Sequence, residues 1–224
     1  MKPPVTKETR LCLVRHGETH WNAERRIQGQ IDSDLNDTGA KQADAAAATL
    51  AEVPFAAVYC SDLRRARTTA ETIAARQAAG QSLATVRRVI PEPALRERHY
   101  GIFQGLTYEE AKTRYPHAYT HFSVRDPDYD FENGESLLHF ASRVTDCLTG
   151  IAQQWAGSQV LIVAHGGVLD IAHRLATGKP LTTARDFIIS NAAVSWIAKT
   201  AKTWRLLSWN VPPQEQAGLD ELPG

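Results

Sequence analysis

The stretch Leu11-Cys12-Leu13-Val14-Arg15-His16-Gly17-Glu18-Thr19 decides the fold. Four apolar residues run straight into Arg-His-Gly, the pattern of a short buried strand closed by a polar turn. An arginine and a histidine at the C-terminal end of such a strand cannot both be core, and in open α/β sheets that edge is where ligands bind. The pattern returns far along the chain, where residues 160–164 are wholly apolar and end in His165-Gly166-Gly167. Either histidine alone reads as a satisfied structural residue. Two His-Gly turns, with Arg15 beside the first, read as one site.

Outward from these strands, helical and strand signals alternate. Asn36, Asp37 and Thr38 are good N-cap residues for an alanine-rich helix to about residue 52. Residues 55–60 form a second strand, and Ser61-Asp62 caps a helix to about residue 80. On that helix Ala66, Ala70, Ile73 and Gln77 make a stripe at helical spacing, flanked by Arg65 and Arg67, with Arg64 turned away. Residues 86–90 read as a third strand. Ala141, Val144, Leu148, Ile151 and Trp155 define a long core-facing helix that starts near Glu135-Ser136 and stops at Gly157. A further helix follows His165 to Gly178, and residues 187–199 and 203–209 suggest two last strands, a hairpin at a sheet edge. The expected fold is an α/β three-layer sandwich, a mostly parallel central sheet with helices on both faces. Residues 91–134 break the pattern. They are rich in Tyr, His, Pro and charge, with one helix over 107–114, and read as a lid insert over the strand ends. The domain spans 1–211 and the tail 212–224 is expected to be disordered.

The bulk numbers fit one such domain: 224 residues, 43% hydrophobic, and 25 basic against 25 acidic residues. A net charge of zero argues against a nucleic-acid partner. No apolar run approaches the about 20 residues of a membrane helix, so no membrane partner is expected. Cys12, Cys60 and Cys147 are odd in number and sit in apolar runs, which suggests reduced, buried thiols in a cytoplasmic protein. Residues 1–10 show no apolar segment of the secretory kind. The last strands offer an edge that could pair in a homodimer.

A histidine near arginines suits phosphoryl transfer. Neutral imidazole is a competent nucleophile near pH 7. Guanidinium groups hold phosphoryl oxygens in fork geometry and disfavour the imidazolium form. The leaving oxygen then needs a proton from a carboxyl group.

Arg15-His16-Gly17-Glu18-Thr19, with Trp21-Asn22 after it, resembles the signature of the histidine phosphatase superfamily, in its phosphoglycerate mutase-like branch. Ser61-Asp62-Leu63-Arg64-Arg65-Ala66 resembles the family's second arginine motif. Leu95-Arg96-Glu97-Arg98-His99-Tyr100-Gly101, then Gln104-Gly105-Leu106, resembles its acid motif, and 160–167 the strand and turn of its second histidine. The resemblance implies His16 as the phosphorylated nucleophile, with Arg15, Arg65 and His165 as the clamp on the phosphoryl oxygens. It selects Arg65, which helix geometry does not separate from Arg67. It implies Glu97 as proton donor and then as base for water, and Asn22 as a further hydrogen-bond donor. Gln28, Gly29, Arg98, Tyr100 and Gly166 fall where the family contacts substrate. No metal is implied, since arginine and histidine stand where other phosphoryl-transfer sites use Mg²⁺.

The expected activity is a phosphatase of small phosphorylated metabolites, with a cofactor-dependent phosphoglycerate mutase as the alternative. Only the mutase would need a cofactor, 2,3-bisphosphoglycerate. Family mutases carry a lysine where this chain has Tyr108 and an arginine pair in the insert where it offers only Arg125, beside the acidic Asp126, Asp128, Asp130 and Glu132. Against this, Arg98-His99-Tyr100 is written much as in mutases. A non-catalytic phospho-ligand-binding protein would be expected to have lost one of the five central groups, and all are present. Other patterns are weaker. His16 and His20 have zinc-helix spacing, but Gly17 stands where that pattern needs glutamate. Thr177-Gly178-Lys179-Pro180 lacks the first glycine of a phosphate loop. The insert's His99, Tyr100, Tyr108, His117, Tyr119 and His121 read as a polar cleft wall, and Arg25-Arg26 as a solvated loop or an attractor of anionic substrates.

Overall fold

A computed structural model describes residues 8–79 and 88–213. Its centre is a six-stranded sheet. β1 (Thr9–Arg15) lies between β4 (Gln159–Ala164) and β5 (Val194–Lys199); β2 (Ala57–Cys60) and β3 (Val89–Pro91) extend it on one side and β6 (Trp204–Val211) on the other, in the order β3-β2-β4-β1-β5-β6. The first four strands are mutually parallel; β5 runs antiparallel to β1, and β6 antiparallel to β5.

Strand periodicity explains the layers. In β1, Leu11 and Leu13 face α6 (Leu137–Gln154) and α7 (Gly166–Thr177), while Cys12 and Val14 face α2 (Asp37–Leu50) and α3 (Arg64–Ala79). Both faces are covered, so β1 and β4 carry unbroken apolar runs rather than alternating ones. β1 leads towards α2 on one face and β4 into α7 on the other. Their C-terminal ends therefore form the switch point at which such sheets open a crevice. The helix starts follow their caps: Asn36 accepts from the Gly39 amide at 2.8 Å, and Ser136 from the His139 amide at 3.2 Å.

Several boundaries differ from the sequence reading. The strand expected over 187–199 begins only at Val194. Ala192, at φ 56°, breaks the extended run, and its amide bonds Arg15 O at 2.9 Å, so 187–193 is a loop drawn towards the end of β1. The strand expected over 86–90 is seen as β3, with residues 86 and 87 outside the described part. The stretch expected as loop after Glu18 holds one turn of helix, α1 (His20–Ala23), capped by Thr19. The tail lies outside the described residues beyond Pro213. Cys12 and Cys60 are buried and Cys147 half-buried, all as free thiols. Among the described residues no helix is long and apolar enough to cross a membrane.

The insert holds α4 (Tyr108–Arg114), as expected, and also α5 (Pro116–Ser123), which its short Tyr- and His-rich sequence hid. It has its own apolar cluster of Phe103, Ala111, Ala118 and Phe131 with Ile27. It is fastened to the loop after α1 by Ile27 N to Leu106 O and Gly105 N to Ile27 O, both 2.8 Å, and to the sheet by the Arg96–Asp62 ion pair at 2.6 Å.

Candidate active site

Because β1 and β4 pair in parallel with Arg15 opposite Ala164, the two His-Gly turns leave the sheet side by side. The His16 and His165 rings meet edge to face, with centroids 5.1 Å apart. Both are buried, His165 completely. His16 Nδ1 lies 2.7 Å from Gly17 O. A carbonyl only accepts, so Nδ1 carries the hydrogen and Nε2 keeps its lone pair. The backbone around His16 is held from two sides. Thr69 Oγ1 of α3 accepts from Gly17 N at 3.1 Å, and Asn191 Nδ2 donates to His16 O at 2.8 Å. Gly17 packs so closely on α2 that a Cβ there would meet Gly39 O at 2.4 Å.

Two guanidiniums complete this end. Arg15 donates through Nη1 to Ile189 O at 2.7 Å. Arg65 donates to Ile31 O at 3.0 Å and Gly29 O at 2.7 Å. Arg65 is 1% exposed, whereas the Arg67 side chain is 60% exposed and paired with Glu71, so only Arg65 faces inward. Burial, then the charges of Arg65 and Arg15, hold both imidazoles well below the usual histidine value, so both are neutral at pH 7. Burial lowers Arg65 to about 10, which leaves it charged. Arg15 Nε, Arg65 Nε and both ring nitrogens of His165 are buried with no hydrogen-bond partner among the described residues. Buried polar atoms are normally satisfied, so these orphans mark room for a compact, oxygen-rich anion.

Glu97 sits opposite. Its Oε2 accepts from Gly167 N at 2.9 Å and its Oε1 from Arg98 N at 2.8 Å. α7 opens on two glycines because this carboxylate lies against it. A Cβ at position 167 would stand 2.1 Å from Glu97 Oε1. One at Gly166 would lie 3.7 Å from Arg15 Nε and 4.0 Å from Glu97 Oε2. Arg15 and Glu97 thus face each other over the first residue of α7.

The five central residues converge as the sequence reading expected. The others divide. Asn22 Oδ1 accepts from Thr19 N and Oγ1, both at 3.1 Å, which leaves its Nδ2 end for a ligand. Gln28 is buried with Oε1 unpartnered. Gly29 acts through its carbonyl on Arg65 rather than as an open contact. Arg98, expected at the substrate, is instead a tie within the insert. Its Nε bonds Glu135 O at 2.8 Å and its Nη2 Tyr129 O at 3.0 Å, with the guanidinium over the Phe131 ring. Tyr100 packs against Phe122 and Phe131, and burial, then Glu97, pushes its hydroxyl up. Thr69, Asn191 and the Ile189 carbonyl escaped the sequence reading; no local pattern announces them. Among the described residues no three His, Cys, Asp or Glu side chains form a group able to hold a metal ion, and His20, the partner of the zinc-helix alternative, is exposed on α1.

The model of the histidine phosphatase superfamily, branch 1, matches residues 11–212. A metal-independent phosphoserine phosphatase of Arabidopsis thaliana is 41% identical over 209 residues, 90% of this chain and 81% of that protein. An Escherichia coli protein named as a probable phosphoglycerate mutase, GpmB, is 35% identical over 94% of this chain and 97% of its own. Among solved structures, Bacillus stearothermophilus YhfR superposes with a TM-score of 0.81 at 31% identity, covering 91% of this chain and 97% of that one. The chain belongs to branch 1 of the histidine phosphatase superfamily.

Proposed function

We propose that this enzyme hydrolyses small phosphomonoesters through a phosphohistidine on His16. The observation that carries the reading is the set of orphaned nitrogens of Arg15, Arg65 and His165 around an imidazole whose Nε2 lone pair is free. A dianionic phosphoryl group supplies the acceptors these nitrogens lack. His16 Nε2 attacks phosphorus and the P–O bond to the alcohol breaks. Glu97 delivers its proton to the leaving oxygen. Water then attacks the phosphorus, its proton passes to Glu97, the N–P bond breaks, and inorganic phosphate leaves. Arg15 and Arg65 stabilise the charge spread over the equatorial oxygens in both steps. No metal or organic cofactor takes part in this scheme, and a cytoplasmic compartment suits the free thiols.

Hydrolysis is preferred over mutation because Tyr108, where family mutases carry a lysine, is itself exposed to water, and a mutase must keep water from the phosphohistidine. Relatives with mutase names make the comparison worth testing. A screen of phosphorylated metabolites scored by phosphate release, with 3-phosphoglycerate assayed in the presence and absence of 2,3-bisphosphoglycerate, decides it. Phosphate release that ignores the bisphosphate is expected. Isomerisation that depends on the bisphosphate and outruns phosphate release would overturn the hydrolase reading.

A further inference from the structure

The phosphate end leaves positive charge unused a short distance away. Asp170, 3% exposed on α7, accepts from three guanidiniums: Arg125 Nη2 at 2.7 Å, Arg174 Nε at 3.1 Å and Arg185 Nε at 3.2 Å. One carboxylate therefore faces three positive charges. Arg174 is buried and also bonds Pro180 O; Arg125 is largely buried and its Nε bonds Leu181 O at 2.7 Å. Arg185 differs. Its side chain is 40% exposed, its guanidinium lies 6.0 Å from the Phe187 ring centre, and among the described residues only its Nε makes a hydrogen bond, which leaves the two Nη groups of its fork without one.

Where that edge lies follows from the helix and the loop. Asp170 is one turn beyond Gly166, on the same side of α7, and Gly166 is the residue over which Arg15 and Glu97 meet. Arg185 also stands four residues before Ile189, whose carbonyl holds Arg15. Its charge is felt by Arg15, by Tyr100 and by Tyr108, which with Glu97 line the side of the pocket away from the two histidines. Asp170 thus acts as a positioning residue that holds Arg185 by one nitrogen, near enough to Arg15, Tyr100 and Tyr108 for its charge to act on them.

We infer that Arg185 receives a carboxylate on the leaving alcohol, so that the enzyme favours phosphomonoesters of hydroxy acids over those of plain alcohols. A planar fork with one edge open matches a carboxylate in bidentate fashion, and the excess of positive charge over Asp170 is reduced when that anion binds. The inference rests on the hydrolase reading of the site.

Two matched pairs test it: 3-phosphoglycerate against glycerol 3-phosphate, and O-phosphoserine against O-phosphoethanolamine, each as a ratio of kcat/KM. The wild-type enzyme should favour the acid member of at least one pair by about tenfold to a hundredfold, the size of one charge-assisted hydrogen bond. In Arg185→Gln that ratio should collapse, mainly through KM of the acid member, and Arg185→Glu should favour the member without the carboxylate. A wild-type enzyme without preference in either pair, or variants that lose activity while the ratio persists, overturn the inference while leaving the hydrolase reading intact. A wild-type protein that releases phosphate from none of the four compounds nor from p-nitrophenyl phosphate overturns both.

Discussion

The two ends of the pocket are built by different means. At the phosphate end the two histidines and two arginines stand at the ends of β1 and β4 or on α3 packed against the sheet, and it is nearly sealed: His16 is 3%, Arg65 1% and His165 0% exposed. Main-chain carbonyls of Gly17, Gly29, Ile31 and Ile189 fix the imidazole and both guanidiniums. At the alcohol end the side chains come from the insert and from the loop after α7, and two of the nearest, Tyr108 and Arg185, are exposed. A phosphoryl group has one shape and one charge distribution, which a rigid, dehydrated cradle can match in advance. The alcohol is what varies between substrates, and loops carried on a rigid scaffold accommodate that variation.

Changes at the sealed end should therefore cost every substrate alike. The largest loss is expected for His16→Ala, about 10⁴-fold or more in turnover on any phosphomonoester, the scale of removing a covalent nucleophile. Steady-state assays on several esters check this, and wild-type turnover on any of them breaks the scheme. Arg65→Met comes next, at about 10²–10³ in kcat/KM, the scale of a lost charge-stabilising donor. Because Arg65 also ties Gly29 and Ile31, thermal melting should accompany the assay. A loss that depended strongly on the alcohol would erase the contrast between the two ends.

Glu97 stands at the boundary, and Gly167→Ala probes it. The added Cβ would fall 2.1 Å from Glu97 Oε1 and 3.1 Å from Phe140, so the carboxylate must move. kcat/KM for alkyl phosphates, which reports the step in which the alcohol leaves, should fall by about tenfold to a hundredfold, part of the range for a general acid. p-Nitrophenyl phosphate, whose phenolate leaves without a proton, should suffer less. Equal losses on both would remove Glu97 from the acid role.

The smallest effect is on stability. His16 and His165 have folded values below the unfolded 6.5, so below that pH the unfolded chain binds protons that the folded one refuses. Stability is fully present above pH 6.5 and falls as pH drops from there towards the folded values, by at most about 1.4 kcal/mol per pH unit for each histidine. Melting in urea between pH 7.5 and 5.5 should show this slope, and His165→Gln should roughly halve the histidine contribution. A wild-type stability flat across that window would mean that the imidazoles are not buried neutral.

The same contrast explains what was legible in the sequence. β1, β4 and their histidines were visible because a fully buried parallel strand writes itself as an apolar run, and a charged residue at its end has no structural excuse. The choice of Arg65 over Arg67 needed the family resemblance, because both flank the same helical stripe. Asn191, the Ile189 carbonyl and Arg185 were invisible. They lie in a loop whose sequence, Phe187-Ile188-Ile189-Ser190-Asn191, reads as strand until Ala192 turns left-handed. Main-chain carbonyls carry no side-chain signature, so the fixation of both arginines could only be seen in three dimensions. Arg98 misled for the opposite reason: it sits beside Glu97 in sequence, but its guanidinium turns into the insert.

The central claim is that His16 becomes covalently phosphorylated. Rapid alkaline quenching of enzyme turning over p-nitrophenyl phosphate, followed by mass mapping of the peptides, tests it most directly. The account predicts one phosphoryl group on the peptide holding His16, stable to base, lost in acid and missing from His16→Ala. An acid-stable label, or phosphorylation of His165 in place of His16, would contradict it.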